Sequence, residues 1–262
     1  MGYFSDTKRP FRPLLYPALF VHIKREGDGD VLIDTGYSSH FFDATKDFPY
    51  RLYRELTPVS LAGGEEASDQ VDPARVQTIV ITHFHGDHIA GLRDFPEAAF
   101  ICSKKAYDSV KSLKGLRAVR KAFLPSLVPN DFEKRVTFME DCQIYSPTSD
   151  EKELVWIGSM TPLYDVLGDG SFLAMDLSGH AEGQIGVYIK GEERDVWVVG
   201  DAVWDSLEIT DGRKPSRLSH IIMDDAPLYH KQVRKLRAFH KRFPHVRIIA
   251  LHEVTEGGEP HG

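Results

Sequence analysis

Four side chains that commonly bind metal ions are concentrated in one short stretch of this 262-residue chain. The stretch THFHGDHIAGL, residues 82–92, contains His83, His85, Asp87 and His88. Imidazole nitrogen and carboxylate oxygen are natural ligands for zinc and for harder first-row metals. Burying four such groups without a cation would leave costly unsatisfied polar atoms. The density of these residues therefore predicts a metal site.

The spacing of the four residues allows them to face one point. His83 and His85 lie two positions apart, so in an extended segment both imidazoles project to the same side. Asp87 and His88 follow where the chain turns towards a helix, whose signals open after His88. Gly86 permits a sharp turn and the close approach of a metal or a substrate.

Buried strands must position these residues. The β-branched run VQTIVIT comes directly before the histidine cluster and is typical of a strand buried on both faces. Two apolar runs, VLIDTG and WVVGDA, end near aspartate, and two others, TIVITH and IIALHE, end in histidine. This repetition favours two similar halves that deliver polar residues into a shared seam. Chance is the alternative, because buried strands often end in polar residues.

The rest of the chain predicts a layered α/β domain rather than an all-β one. We expect hairpins over PALFVHIK and VLIDTG and around Gly168–Asp169–Gly170, and an amphipathic helix with a solvated basic face between His230 and Arg247. An aromatic-rich segment is expected to cover a substrate mouth and to contain one short helix. The predicted organisation is a single domain over residues 1–262, with a loosely ordered lead-in at 1–13, the cover segment at 37–70 and a helical insertion at 103–135.

The cluster resembles the signature His-x-His-x-Asp-His of the metallo-β-lactamase superfamily. That motif is highly specific when a buried strand precedes it and a helix follows. The resemblance runs from about residue 15 to about residue 255, because further family segments appear in the same order. It implies a four-layer αβ/βα sandwich and a hydrolase with a dinuclear metal centre at the edge seam of the sandwich.

Three further ligands are implied by this resemblance. DLSGHAEGQIGVYI supplies His180 ahead of a strand, VWVVGDAVW supplies Asp201 at a strand end, and RIIALHE supplies His252. In the family pattern Asp201 would bridge two sets of three ligands, which here are His83, His85 and His180 for one metal and Asp87, His88 and His252 for the other.

The metal pair implies hydrolytic chemistry. A water that bridges two metals roughly 3.5–4 Å apart loses a proton near neutral pH and becomes a strong nucleophile. Asp87, beside the bridging position, is expected to hydrogen-bond this hydroxide and later to carry a proton. Asp34 in DTG would orient a ligand from behind. Zinc is the expected metal, and an all-N/O site also accepts iron, manganese or cobalt.

The bond that is cut is less closely constrained, because lactonases, glyoxalase-II-like thioesterases, β-lactamases, phosphodiesterases and nucleases share this site. GDAVWD and DDAPLYHKQVRKLRAF look similar to the N-acyl-homoserine lactonase branch, which favours a lactone or related ester. Trp204 departs from that branch, which places a tyrosine there, and an indole N–H donates a hydrogen bond without serving as a comparable proton source. An iron-dependent redox enzyme is the alternative outside hydrolases, although such proteins typically carry glutamate where this chain has His85.

Composition limits the partners. The net charge of −7 supplies no basic footprint for nucleic acid. Two cysteines are too few for a disulfide framework, which favours a reducing cytoplasm. The apolar run LLYPALFV is too short for a membrane span and lacks a cleavage site. We expect a cytoplasmic enzyme with a small-molecule substrate and no nucleic-acid or membrane partner, and a homodimer is one candidate assembly.

Overall fold

The computed structural model describes residues 16–27, 29–212 and 223–253. The expected lead-in at residues 1–13 lies outside these ranges. Within them the chain forms two β-sheets with helices packed against both. No helix in the described ranges is long and apolar enough to span a bilayer.

The first sheet contains five neighbouring strands, β1 (Val21–Ile23), β2 (Asp30–Ile33), β3 (Val76–Val80), β4 (Ala99–Cys102) and β5 (Val136–Phe138). β1 pairs antiparallel with β2, with Val21 opposite Ile33, which confirms the predicted hairpin. The pairs from β2 to β5 are all parallel. β3 is therefore an interior strand, and Ile79 and Val80 are fully buried, as the apolar run before the histidines predicts.

The second sheet contains six strands, β6 (Gln143–Ile144), β7 (Tyr164–Asp165), β8 (Phe172–Asp176), β9 (Ile185–Ile189), β10 (Val196–Val198) and β11 (Arg247–Ile249). Their spatial order is β11-β10-β9-β8-β7-β6. β7 and β8 form the second predicted hairpin. β10 and β11 are parallel, whereas the other pairs are antiparallel.

The helices of the described ranges are α1 (Ser39–Ala44), α2 (Arg51–Leu56), α3 (Ala67–Gln70), α4 (Gly86–Ile89), α5 (Lys104–Val110), α6 (Gly115–Arg120), α7 (Phe132–Arg135), α8 (Lys152–Gly158), α9 (Leu207–Thr210) and α10 (Ala226–Arg242). The cover segment holds α1, α2 and α3, so the prediction of one short helix there was wrong. α5, α6 and α7 lie within the segment at 103–135. α4 begins before His88, at Gly86, so Asp87 and His88 belong to its only turn.

α10 differs from its prediction at both ends. It begins at Ala226, because the carboxylate of Asp225 accepts a hydrogen bond from the backbone N–H of Leu228 at 2.9 Å. It ends at Arg242, two residues before Pro244, which cannot continue a helix. Its buried stripe includes Val233, Leu236 and Phe239 at helical spacing. Each such side chain contributes about 1.5–3 kcal/mol when fully buried.

Three hydrophobic clusters separate four layers. Along β2 and β3, Leu32 and Ile79 pack on the helical side, whereas Ile33 and Val80 face the second sheet, as the period of two along a strand requires. The cluster between the sheets includes Val187 of β9. The third cluster joins the outer face of the second sheet to α8 and α10. The order helix, sheet, sheet, helix confirms the predicted αβ/βα sandwich.

Candidate metal centre

All seven predicted ligands lie near strand ends of the two sheets, in the loops or the short helices next to the strands. His83 and His85 follow β3 and lead into α4, which carries Asp87 and His88. His180 precedes β9, Asp201 follows β10 and His252 follows β11. Because β10 is parallel to β11 and antiparallel to β9, the end of β10 lies beside the end of β11 and the start of β9.

One compact group consists of the three histidines predicted to bind the first metal. A ligand atom from each of His83, His85 and His180 lies within 4.8 Å of the other two. The ring centroids of His83 and His85 are 4.4 Å apart, so both imidazoles project to one side. Nε2 of His180 lies 3.0 Å from Nδ1 of His85. Three imidazoles at this spacing can hold one cation.

A second group contains Asp87, His88 and His252. A ligand atom from each of these residues also lies within 4.8 Å of the other two. Oδ2 of Asp87 lies 3.4 Å from Nε2 of His252 and 3.9 Å from Nε2 of His88. A hydrogen bond of 2.6 Å joins Nδ1 of His252 to the backbone oxygen of Pro17 and thereby leaves Nε2 directed towards the carboxylates.

Asp201 lies between the two groups. Its Oδ2 is 3.3 Å from Nε2 of His180 in the first group and 3.1 Å from Nε2 of His252 in the second. Its Oδ1 is 3.5 Å from Nε2 of His88. One buried carboxylate therefore contacts histidines of both groups.

Asp34 and Thr82 support the two groups from behind. Oδ2 of Asp34 lies 2.7 Å from Nδ1 of His88, so Nε2 of that ring faces Asp201. Asp34 also accepts hydrogen bonds from the backbone N–H and the hydroxyl of Thr82, at 2.7 and 2.6 Å. Its φ of +57° is uncommon for a residue other than glycine, and these contacts hold it there. Oγ1 of Thr82 lies 3.0 Å from Nδ1 of His83. Thr82 is not among the residues predicted from the sequence, although its position directly before His83 is a signal.

Burial keeps the first group of histidines neutral. It lowers the pKa of His180 to about 3 and holds the pKa of His83 well below its usual value. Burial also lowers the pKa of His85, even though Asp87 and Asp201 oppose the shift. Neutral imidazoles keep a lone pair for a metal ion at neutral pH.

In the second group and at Asp201, carboxylates and imidazoles stabilise each other's charged forms. Burial disfavours the charged form of Asp201, but His252, His88 and His180 outweigh it and hold the pKa of this carboxyl well below its usual value. Burial opposes the protonation of His252, yet Asp201 and Asp87 raise the pKa of that imidazole to about 10. A metal ion bound by these imidazoles would replace their protons, and the adjacent carboxylates would balance its charge.

The residues of both groups fit divalent metal ions. Several buried polar atoms have no hydrogen-bond partner among the described residues, including Nε2 of His83, Nε2 of His88, Nδ1 of His180 and Oδ1 of Asp201. Each unsatisfied buried group costs about 1–3 kcal/mol. Cations bound by Nε2 of His83, Nε2 of His88 and Oδ1 of Asp201 would offset that cost at these three atoms, and the N/O donor set suits zinc and harder first-row metals.

Trp204 lies beside the first group. Its ring is 7% exposed and meets the ring of His180 edge-on at 5.8 Å. Tyr16 meets the same indole at 5.9 Å. Behind Trp204, the buried Glu208 accepts hydrogen bonds from the backbone N–H of Trp204 and from the hydroxyl of Tyr229, both at 3.0 Å. Burial raises the pKa of Glu208 to about 7. The sequence carries no signal that separates Glu208 from other acidic residues.

Tyr53 of α2 reaches the second group from the cover segment. Its hydroxyl donates to Oδ1 of Asp87 at 3.4 Å. The ring of Phe41 packs edge-on against Tyr53 at 5.4 Å and against Tyr37 at 4.8 Å. The aromatic content of residues 37–70 suggested a cover over the site, but it did not identify which ring contacts a predicted ligand.

Comparison with known sequences gives a family match over most of the chain. The family model for the metallo-beta-lactamase superfamily matches residues 18–251. A probable metallo-hydrolase of Mycobacterium tuberculosis is 27% identical over 195 residues, which are 71% of this chain and 58% of that relative. The match therefore spans less than two thirds of the length of this curated relative.

Solved structures share the fold at low sequence identity. One is an N-acyl homoserine lactone hydrolase with the product N-hexanoyl-L-homoserine bound at its catalytic metal centre, with a TM-score of 0.62 and 16% identity over 95% of this chain and 86% of that chain. Another is a quorum-quenching N-acyl homoserine lactone lactonase, with a TM-score of 0.62 and 16% identity over 98% and 88% of the two chains.

Proposed function

The chain belongs to the metallo-β-lactamase superfamily, and from that premise we propose that it is a metal-dependent hydrolase with two divalent cations at the strand ends described above. The observation that carries this proposal is the position of Asp201, whose Oδ2 is 3.3 Å from His180 and 3.1 Å from His252. A carboxylate that contacts both groups is the natural bridge between two cations.

The proposed ligands divide as the two groups do. His83, His85 and His180 would hold the first cation, and Asp87, His88 and His252 would hold the second. Asp201 lies between the two sets. The all-N/O donor set favours zinc, and iron, manganese or cobalt also suit it. Asp34 positions His88 through the 2.7 Å contact with Nδ1.

The residues of the chain then perform distinct tasks in hydrolysis. When bound, two divalent cations would supply an activated water and would polarise the oxygen of the scissile bond. The carboxylate of Asp87 would hydrogen-bond the attacking water and would carry a proton towards the departing group. Trp204 and Tyr16 form an apolar aromatic wall beside His180 and His252, which excludes water from that side of the reacting bond.

We propose a lactone or a related carboxylic ester as the substrate. Two observations support this choice: the aromatic wall suits an apolar acyl group, and proteins with the same fold hydrolyse N-acyl homoserine lactones. Trp204 stands where those lactonases are expected to carry tyrosine, so this chain would cleave the ester without a phenol at that position.

A hydrolysis screen with a pH indicator tests both levels of the proposal. Lactones, thioesters, β-lactams and phosphodiesters are each offered to the protein with and without a chelator. We expect chelator-sensitive acid release from lactones, and we expect Asp201→Asn and His85→Ala to lose bound metal and activity together. Asp150→Asn, a change at an exposed acid, is the matched control.

The outcomes separate the alternatives. Chelator-sensitive turnover of thioesters alone would support the metal centre but would show that the substrate is a thioester. Full turnover by metal-depleted Asp201→Asn would refute the site assignment. If the iron-loaded protein consumed oxygen and released no acid from any ester, the protein would be a redox enzyme and not a hydrolase.

A further inference from the structure

Tyr53 is a buried phenol in a segment that is otherwise largely exposed. It is the buried residue of α2 and is 7% exposed. Its neighbours on the helix, Arg51 and Glu55, pair with each other in solvent. Tyr53 is therefore the most deeply packed side chain of α2, and Leu52 and Arg54 are half-buried.

The ring of Tyr53 is held in place on two sides. A Cβ atom on Gly86 would lie 3.1 Å from Cε1 of Tyr53, so the ring packs directly on the backbone of the loop before Asp87. The fully buried Phe41 meets the ring edge-on at 5.4 Å. With the ring fixed, the hydroxyl lies against the backbone of Gly86 and reaches Oδ1 of Asp87 at 3.4 Å.

The two oxygens of Asp87 face different ways. Oδ2 faces the histidine nitrogens of the second group, at 3.4 Å from His252 and 3.9 Å from His88. Oδ1 accepts the hydrogen bond from Tyr53 at 3.4 Å. A phenol is protonated at neutral pH and donates one proton, whereas a carboxylate oxygen has two lone pairs. Tyr53 thus leaves a lone pair of Oδ1 open to a water or a substrate.

We propose that Tyr53 is a positioning residue that sets the orientation of Asp87, so that Oδ2 is presented to the second cation. The proposal rests on the proposed function only in taking Asp87 as a ligand. It gives the cover segment a role in metal binding through a side chain outside the family signature.

The geometry also separates Tyr53 from Trp204. Trp204 lies against His180 of the first group, and Tyr53 contacts Asp87 of the second. A loss of the Tyr53 hydroxyl is therefore expected to weaken one metal site and to spare the other.

Calorimetric titration of the metal-free protein with zinc tests this expectation. We expect the first equivalent to bind Tyr53→Phe as it binds the wild type, and the second equivalent to bind about 10-fold more weakly. Substitution of a residue that hydrogen-bonds a metal ligand typically lowers metal affinity 10- to 100-fold. The contact of 3.4 Å between Tyr53 and Asp87 is long, so we expect an effect at the low end of this range. The matched control is Tyr50→Phe. Tyr50 lies in the same cover segment as Tyr53, but its hydroxyl accepts a hydrogen bond from the backbone N–H of Gly115 instead of contacting Asp87.

Cobalt titration supplies a second readout, since the visible absorption of each bound ion reports its coordination. We expect Tyr53→Phe to alter the spectrum of the second ion only, while the unfolding midpoint of the metal-free protein stays at the wild-type value. Equal binding of both zinc equivalents by the wild type and Tyr53→Phe would overturn the proposal. Equal weakening in Tyr50→Phe would also overturn it, because the effect would then belong to the segment. Failure to hydrolyse any ester would contradict the proposed function and leave this result standing.

Discussion

Glu208 illustrates how burial changes a single residue. The side chain is 5% exposed and accepts hydrogen bonds from the hydroxyl of Tyr229 and the backbone N–H of Trp204. These hydrogen bonds and the charge of Arg237 lower the pKa of the carboxyl, but burial opposes them more strongly. Burial therefore dominates and raises the pKa of Glu208 from its ordinary value of 4.5 to about 7.

This shift predicts how the stability of the protein depends on pH. Between about pH 4.5 and pH 7 the folded state holds a proton on Glu208 that the unfolded state has lost, so the share of stability due to this group falls as pH rises. The shift corresponds to about 3 kcal/mol. We expect Glu208→Gln to gain up to about that amount relative to the wild type between pH 4.5 and pH 8, measured by urea unfolding in chelator. A difference that does not change with pH would contradict this expectation.

Trp204 gives a second prediction at a single residue. Phenylalanine keeps an aromatic ring against His180 but removes the indole N–H, which we propose as a hydrogen-bond donor to the substrate oxygen that becomes charged. We expect Trp204→Phe to retain its zinc content and to lose about 10- to 100-fold in kcat/KM for the best ester, the effect of one hydrogen bond to a charged group. Zinc analysis and steady-state kinetics on one preparation check both halves. Loss of zinc would show that the indole supports His180 instead.

At the scale of elements, the loop after β10 depends on Gly200. Its φ is +54°, and a Cβ atom there would lie 3.1 Å from the Cβ and Oγ1 atoms of Thr82. Thr82 in turn hydrogen-bonds Asp34 and lies next to His83. The glycine therefore allows the loop that carries Asp201 to pack closely on the loop that carries the first histidines.

Gly200→Ala is expected to destabilise the protein by about 2–3 kcal/mol and to reduce its metal content. The left-handed backbone conformation accounts for about 1–2 kcal/mol, and the contact with Thr82 for the rest. Gly168→Ala is the matched control, because Gly168 has a φ of +81° and no described atom within 4 Å of its added Cβ. Urea unfolding and zinc analysis of both variants separate strain from contact. Equal losses of stability in Gly200→Ala and Gly168→Ala would show that the contact with Thr82 has no effect.

The element predictions failed where the local pattern was weak. The cover segment forms three short helices, of at most six residues each, whose amphipathic period is too brief to detect. The helix predicted to open after His88 begins earlier, at Gly86. The residue before it, His85, makes no side-chain hydrogen bond to the helix, so the sequence carries no capping signal there. Long apolar runs such as β3 and β9 were predicted well, because burial on both faces leaves a continuous apolar stretch.

The whole molecule shows the repeat that the sequence suggested. β2 and β3 are parallel neighbours followed by Asp34 and His83, and β10 and β11 are parallel neighbours followed by Asp201 and His252. Each sheet thus supplies one aspartate and one histidine from adjacent strand ends. The two sheets pack face to face through their own hydrophobic cluster, which brings both pairs to the same seam.

Metal removal is expected to lower stability and leave the fold in place. None of the seven proposed ligands belongs to the three hydrophobic clusters found in the described ranges, so the cores stay complete. Metal bound at 1,000 times its Kd would contribute about 4 kcal/mol. For a chain of this length that is a rise in Tm of roughly 10 °C. Thermal unfolding with chelator and after zinc addition measures it, and an equal rise in Asp201→Asn would contradict the assignment.

The sequence by itself determined which residue types could bind metal and which strand ends carry them, because ligand chemistry and strand burial are local properties. Only the tertiary structure placed Asp201 between the two groups and brought Asp34 to His88, 54 positions away along the chain. The contact of Tyr53 with Asp87 spans 34 positions and leaves no periodic trace in the sequence. Such contacts depend on how the two sheets and the cover segment pack together, and packing is a property of the folded chain rather than of any segment.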